Sequence, residues 1–169
     1  MTGTIGRVPG ELDVSMPDGA GWLRITTRLA AAKPADVVAA FVAPGLVRRW
    51  WGAELAGVPY AGGPYVARFE GLDQTMRGTV LALDARHGLF AFTWAWDHRP
   101  DLPRRRVSVR AEPADGGCLV RLDHGPYDTG ELDREDAESH RQGWEFFLPR
   151  LADVLTQDRF RAVRGGASK

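Results

Sequence analysis

The hydrophobic period of this chain changes from two residues to 3.6 residues near residue 130. Between residues 62 and 125, turn signals such as Gly62-Gly63-Pro64 and Asp115-Gly116-Gly117 separate short segments in which apolar and polar residues alternate. That alternation is typical of half-buried strands, and strands so close in sequence must pair antiparallel. From residue 133 onward, apolar residues recur with the 3.6-residue period of an amphipathic helix. The pattern predicts an α+β domain in which a curved antiparallel sheet packs on one long C-terminal helix.

The remaining elements follow from alternation and from turn residues. Trp22–Leu29 alternates like a strand, and Pro34 then begins a helix at a position where its missing N–H costs no hydrogen bond. A second, short helix is predicted at Leu46–Trp51. The later strands are predicted at Tyr65–Phe69, Thr75–Leu83, Leu89–Trp96, Arg105–Glu112 and Cys118–His124. We expect residues 22–158 to form the domain, with a flexible N-terminal arm at residues 1–21 and a frayed tail at residues 159–169.

Composition excludes several kinds of partner. The 22 basic side chains balance the 22 acidic ones, so the net charge gives no general attraction to nucleic acid or to an anionic membrane. No segment reaches the roughly 20 apolar residues that a membrane span requires, and the N-terminus lacks the apolar core of a secretory signal. The single cysteine, Cys118, has no intramolecular partner and fits a reducing compartment. We therefore expect a cytoplasmic protein that binds neither nucleic acid nor membrane.

The segment Leu89–Trp96 determines the character of the inner face of the sheet. Phe90, Phe92, Trp94 and Trp96 share one side of this strand, and each large aromatic ring buries roughly 150–250 Å². These rings must be covered, and the C-terminal helix is the element long enough to cover them. Two arrangements satisfy the pattern: the aromatic side chains fill the interior completely, or they leave a pocket for a ligand.

An ordered set of short motifs resembles a known superfamily. The motifs are Trp50-Trp51 after a helix, the Gly62-Gly63 turn, Gly78-Thr79-Val80, Phe92-Thr93-Trp94, and His124 followed by His140-Arg141-Gln142-Gly143-Trp144. Over residues 22–157 this set resembles the START-like (SRPBCC) superfamily, and within it the branch named after the activator of the heat-shock-protein-90 ATPase. The resemblance implies the helix-grip fold, with element order β-α-α-β6-α, and a deep hydrophobic cavity. Members of the superfamily bind lipids, polyketides and other apolar molecules, and some are cyclases or aromatases.

The predicted ligand-binding residues come from the inner face of the sheet and from the face of the helix that covers it. They are Trp51, Phe69, Met76, Phe92, Trp94, Trp96, Val120, Leu122, His124, His140, Trp144, Phe147 and Leu148. His124 and Tyr65 are the candidate catalytic residues, since an inward imidazole can move a proton and a phenol can polarise a carbonyl. The competing interpretation of His124 is a histidine held by a backbone carbonyl, and that of His140 is a partly exposed helix residue.

No common catalytic motif is present in the sequence. GxSxG, HExxH, GxxxxGK[ST] and GxGxxG are absent, and the four histidines have no metal-ligand spacing, so neither a metal nor a cofactor is predicted. Arg104-Arg105-Arg106 is interpreted as a solvated start of a strand. We expect the domain to bind a small apolar molecule, as a monomer or a homodimer. A polyketide cyclase- or aromatase-like enzyme using the same cavity and a chaperone-associated interaction module are the alternatives.

Overall fold

The computed structural model describes the backbone of residues 11–166 and the side chains of residues 11–158. Eight strands form one antiparallel sheet in the order β1-β2-β8-β7-β6-β5-β4-β3. The strands are β1 (Leu12–Ser15), β2 (Gly21–Ala30), β3 (Ala53–Leu55), β4 (Pro64–Phe69), β5 (Gln74–Asp84), β6 (Leu89–Trp96), β7 (Arg105–Ala114) and β8 (Gly117–Tyr127). The helices are α1 (Pro34–Val42), α2 (Pro44–Trp51) and α3 (Glu131–Gly166), with one 3-10 turn at Glu70–Leu72.

The order from β2 to α3 is the predicted β-α-α-β6-α, and the α+β helix-grip architecture is confirmed. Two short strands, β1 and β3, were not among the segments that alternation predicted, although the β-α-α-β6-α order implied by the resemblance requires β3. β3 precedes β4, and β1 lies within the segment expected to be a flexible arm, where it pairs antiparallel with β2 and lays Leu12 and Val14 against the core. The first ten residues of that arm lie outside the described residues.

Helix α3 is longer than predicted. It continues through Pro149 without interruption and extends to Gly166, beyond the expected end of the domain at residue 158, where a frayed tail was predicted. The last three residues of that tail lie outside the described residues. Within the part of the chain that the structure describes, no helix is both long and apolar enough to cross a membrane.

The inner face of the sheet is formed by the residues that alternation placed there. Phe90, Phe92 and Trp94 of β6 are buried, as are Val120 and Leu122 of β8. Strand alternation sends their outward neighbours to the convex side, so the apolar surface of the sheet meets the helices across a single core.

Two aromatic side chains fix helix α1 to the rest of the core. The Tyr65 hydroxyl donates a hydrogen bond of 2.6 Å to the carbonyl of Phe41, and Trp50 Nε1 donates one of 2.6 Å to the carbonyl of Ala40. Both carbonyls belong to the last turn of α1, where no intrahelical donor is available. The aromatic residues therefore satisfy polar groups that would otherwise be buried without partners.

Candidate functional site

A pocket of about 270 Å³ opens between α3 and the β4–β6 side of the sheet. Helix α2 contributes to it through Trp51, and the loop between β6 and β7 contributes His98, Arg99 and Leu102. The lining residues are Trp51, Phe69, Leu72, Gln74, Trp94, Trp96, His98, Arg99, Leu102, Leu132, Glu135, Asp136, Ser139, His140, Gly143, Trp144 and Phe147. The interior is thus partly filled by its own side chains and partly open, which combines the two arrangements that the sequence allowed.

Three indole rings from three different elements meet at this pocket. The ring centroids of Trp51 and Trp144 lie 5.5 Å apart at an interplanar angle of 28°, and Trp94 lies 6.1 Å from Trp51 and 5.8 Å from Trp144. Phe69 adds contacts to Trp96 at 5.6 Å and to Phe147 at 6.4 Å. These separations are those of favourable aromatic pairs, so the rings hold one another in place without a ligand.

One face of α3 supplies the polar edge of the pocket. Asp136, His140 and Trp144 are spaced four residues apart, which places them in a row along the helix. The Nε2 atom of His140 lies 3.4 Å from Oδ1 of Asp136. A carboxylate and an imidazole therefore share the same wall as the indole of Trp144.

Arg105 is buried behind this polar edge. Its Nε donates to Oδ2 of Asp136 at 2.7 Å, its Nη2 donates to Oδ1 of Asp133 at 3.0 Å, and Nη1 donates to the carbonyl of Pro126 at 2.6 Å. Its guanidinium also lies 4.3 Å from the centre of the Tyr127 ring. A buried charge requires such partners, because desolvation of an unpaired one is costly.

The interpretation of Arg104-Arg105-Arg106 as a solvated patch is therefore wrong for Arg105, of which only 1% is exposed. Strand alternation explains the difference. Arg105 shares the inner face of β7 with Val107 and Val109, whereas its two neighbours face outward.

His140 is held as a neutral ring. Its Nδ1 lies 2.6 Å from the Tyr127 hydroxyl, and burial lowers the pKa of the imidazole to about 4, although Asp136 acts in the opposite direction. In the tautomer with its proton on Nε2, Nδ1 accepts from the Tyr127 hydroxyl. Nε2 then faces Oδ1 of Asp136 at 3.4 Å but has no hydrogen-bond partner among the described residues. The expectation of a partly exposed helix residue is wrong, since His140 is buried.

His124 lies one layer behind the pocket. Its ring stacks on that of His140, with centroids 4.1 Å apart and planes 14° apart, and its Nδ1 accepts a hydrogen bond of 3.0 Å from Trp144 Nε1. Burial lowers the pKa of His124 well below its ordinary value, and the positive charges of His140, when that ring is protonated, and of Arg105 act in the same direction. Its partner is an indole, not the backbone carbonyl of the competing interpretation.

The structure divides the predicted ligand-binding residues into two groups. Seven line the pocket: Trp51, Phe69, Trp94, Trp96, His140, Trp144 and Phe147. The other six are buried in the core and do not line it: Met76, Phe92, Val120, Leu122, His124 and Leu148. All six belong to the apolar interior, as alternation and helical period predicted, but neighbouring side chains cover them.

Tyr65 does not lie at the pocket either. The Tyr65 hydroxyl donates its hydrogen bond to the carbonyl of Phe41. Burial raises the pKa of Tyr65 well above the ordinary value. The phenol that does lie close to the polar edge is Tyr127, through its contact with His140.

Several lining residues were not predicted. Leu72 comes from the 3-10 turn before β5, and Gln74 is the first residue of β5. His98, Arg99 and Leu102 come from a loop whose path has no periodic signal. Asp136 could have been found, because it precedes His140 by four residues on the same helical face. Among the described residues, no group of three or more His, Cys, Asp or Glu side chains is arranged to bind a metal ion.

The curved sheet around a long helix, with a pocket between them, defines a START-like helix-grip domain. The family model described as "Activator of Hsp90 ATPase homolog 1-like protein" matches residues 31–156. The chain belongs to this family. Comparison with curated proteins gives no significant match.

Solved structures with the same fold are similar to this chain at low sequence identity. Ms6760 from Mycobacterium smegmatis has a TM-score of 0.71 and 18% identity, covering 86% of this chain and 97% of its own. CalU16 from Micromonospora echinospora has a TM-score of 0.64 and 22% identity, covering 93% and 94%. DynU16, a putative protein in the dynemicin biosynthetic locus, has a TM-score of 0.68 and 20% identity over 83% of this chain, which spans only 48% of DynU16. At these identities the likeness shows the fold alone.

Proposed function

We propose that this domain binds a small, largely apolar molecule with a flat ring in the pocket between α3 and the sheet. The observation that carries the proposal is that Trp51, Trp94 and Trp144 border open space of about 270 Å³. Ligand pockets are usually roughly 300–1,000 Å³ and mostly apolar, with few polar groups, so this one suits a compact ligand.

The arrangement of the rings gives the pocket a rigid aromatic wall. Trp51 stacks on Trp50 with centroids 5.0 Å apart and planes 5° apart, so its orientation is fixed from behind. Preformed aromatic walls bind without the entropy cost of ordering side chains. Each Å² of apolar surface removed from water contributes on the order of 25 cal/mol, and offset stacking adds to this.

Ligand binding is tested first with the protein as purified. Native mass spectrometry is expected to detect a co-purified small molecule, or a panel of compact aromatic compounds is expected to raise the melting temperature and quench tryptophan fluorescence. The proposal would be contradicted if no small molecule co-purified and no compound of the panel raised the melting temperature or quenched the fluorescence.

A blocking variant makes the test specific to this pocket. A side chain added at Gly143 would meet no heavy atom within 4 Å, and Gly143 lines the pocket. Gly143→Leu is therefore expected to abolish binding while the protein stays folded. Gln142→Leu, at the adjacent exposed position, is the matched control and should bind normally. Equal binding by both variants would place the ligand elsewhere.

A second candidate function is an enzyme of the cyclase or aromatase kind. The observation that favours it is that His140 and Asp136 both line the pocket, with 3.4 Å between Nε2 and Oδ1. A neutral imidazole that is held by the Tyr127 phenol and lies beside a carboxylate can transfer a proton to or from a bound molecule. The test is whether a bound compound is converted to a product that mass spectrometry detects, and whether His140→Gln stops conversion but preserves binding.

A further inference from the structure

Negatively charged side chains outnumber positively charged ones around the pocket. Three of the lining residues carry a full charge, namely Arg99, Glu135 and Asp136. Arg99 already has a carboxylate partner, because its Nε and Nη2 donate to the two oxygens of Asp101 at 3.0 and 2.9 Å. Its positive charge is therefore offset before any ligand enters.

Asp136 belongs to a cluster with excess negative charge. It shares the guanidinium of Arg105 with Asp133, so two carboxylates face one cation. The neighbouring imidazole of His140 does not restore the balance, because burial keeps it uncharged at neutral pH by lowering its pKa to about 4.

Glu135 adds a further negative charge at the mouth. It is exposed, and among the described residues no cation lies within ion-pairing distance of its carboxylate. Glu135 and Asp136 both lie near enough to Arg99 of the β6–β7 loop to affect its charge state. The hydrogen bond to Asp101 is the main cause that raises the pKa of Arg99, and the charges of Asp136 and Glu135 act in the same direction.

The walls of the pocket favour positive charge as well. The face of an aromatic ring carries negative potential, and tryptophan attracts a cation placed over it more strongly than phenylalanine or tyrosine does. Trp51, Trp94, Trp96 and Trp144 all line this pocket. Trp51, Trp94 and Trp144 are each at most 5% exposed, whereas Trp96 is half-buried. Trp96 is therefore the indole that a cation near Glu135 would contact.

We propose that the ligand of this pocket is a cation, an aromatic or compact apolar molecule that carries an amine or quaternary ammonium group. This inference rests on the proposed binding function and adds the sign of the ligand's charge. An anion would face Glu135 and the Asp133–Asp136 pair, and the guanidinium of Arg99 that could receive it is already bound by Asp101.

Two isosteric probes isolate the charge. Benzyltrimethylammonium and neopentylbenzene differ by one nitrogen in place of one carbon, so they present the same shape to the pocket. A third probe, 4-tert-butylbenzoate, carries the opposite charge. Calorimetric or fluorescence titration is expected to show that the ammonium compound binds about tenfold more tightly than neopentylbenzene, with the benzoate weakest. Raising the salt concentration should reduce the difference in affinity between the charged and uncharged probes, because the site is partly open to solvent.

A pair of charge-removing variants shows where the preference comes from. Glu135→Gln is expected to weaken benzyltrimethylammonium binding about threefold and leave neopentylbenzene unchanged. Asp153→Asn removes a charge from the same helix about five turns away and should change neither affinity.

The possible outcomes separate this inference from the function on which it rests. Equal affinity for the two isosteres, or tighter binding of the benzoate, would overturn the charge preference and leave ligand binding intact. If Glu135→Gln weakened the binding of benzyltrimethylammonium and of neopentylbenzene equally, the assigned role of that carboxylate would be overturned. Failure of all three probes to bind would count against both proposals.

Discussion

Trp144 donates a hydrogen bond of 3.0 Å from its indole Nε1 to Nδ1 of His124 and so connects helix α3 to strand β8. An indole nitrogen only donates, so Nδ1 must accept, and the proton of the neutral His124 ring resides on Nε2. Within the described residues that Nε2 atom has no hydrogen-bond partner, and neither has Nε1 of Trp94. The contact fixes the orientation of a pocket-lining indole from the core side.

The first prediction concerns the stability of this connection. Trp144→Ala is expected to lower the free energy of unfolding by about 3–5 kcal/mol, because it removes a buried indole and leaves Nδ1 of His124 without a donor. Urea denaturation measures the loss. Phe146→Ala, at a side chain that is 60% exposed two positions away, should change stability by only about 0.5 kcal/mol. A Trp144→Ala protein as stable as Phe146→Ala would contradict the contact.

The sequence was sufficient to place Trp144 and most of the apolar interior. Alternation in β6 and β8 and the period of α3 identify the faces that meet, because each buried side chain there follows a regular spacing. What the sequence could not show is which of these side chains border open space. That depends on packing between elements distant in the chain, such as Trp51 of α2 against Trp144 of α3.

The polar half of the site was harder to predict. In the sequence Arg105 is one member of a run of three arginines, and only its position in β7 shows that it faces inward. Asp133 and Asp136 lie in the first turns of α3, where acidic residues are common because they interact with the helix dipole. Their pairing with Arg105 joins residues about 30 positions apart and has no local signal.

The second prediction tests this buried cluster. Arg105→Ala is expected to reduce stability by about 3–5 kcal/mol, because it leaves the carboxylate of Asp136 buried without its cation. Arg105→Lys should recover only part of the loss, since an ammonium cannot reproduce the donors to Asp133, Asp136 and Pro126. The exposed neighbour Arg104 provides the control: Arg104→Ala should have little effect. Similar losses for the alanine variants at 104 and 105 would exclude a special role for Arg105.

The third prediction is a dependence of stability on pH. Burial lowers the pKa of His140 to about 4 and that of His124 well below normal, whereas both titrate near 6.5 when unfolded. Between these values the unfolded chain binds more protons than the folded protein. Stability is therefore complete above pH 6.5 and falls as the pH decreases toward 4, by up to about 1.4 kcal/mol per pH unit for each histidine.

Unfolding free energies measured at several pH values between 4 and 8 check this slope. His140→Gln is expected to make the slope shallower, even if it lowers stability throughout the range. A slope that stays the same in His140→Gln, or stability that increases on acidification, would show that the ring is not held neutral in the folded protein.

The last prediction concerns Gly143, where stability and pocket volume oppose each other. Glycine inside a helix is destabilising by roughly 0.5–1 kcal/mol relative to alanine, and a Cβ at Gly143 would meet no heavy atom within 4 Å. Gly143→Ala is therefore expected to raise the free energy of unfolding by about 0.5–1 kcal/mol. The added methyl group projects from a lining position next to Trp144, so it should also weaken binding of a compact aromatic ligand. Denaturation and titration of the same preparation measure both effects. A variant that is more stable and binds as well as the parent protein would show that ligands do not approach this part of α3, and the binding site would then have to lie nearer the Phe69 and Trp96 side of the pocket.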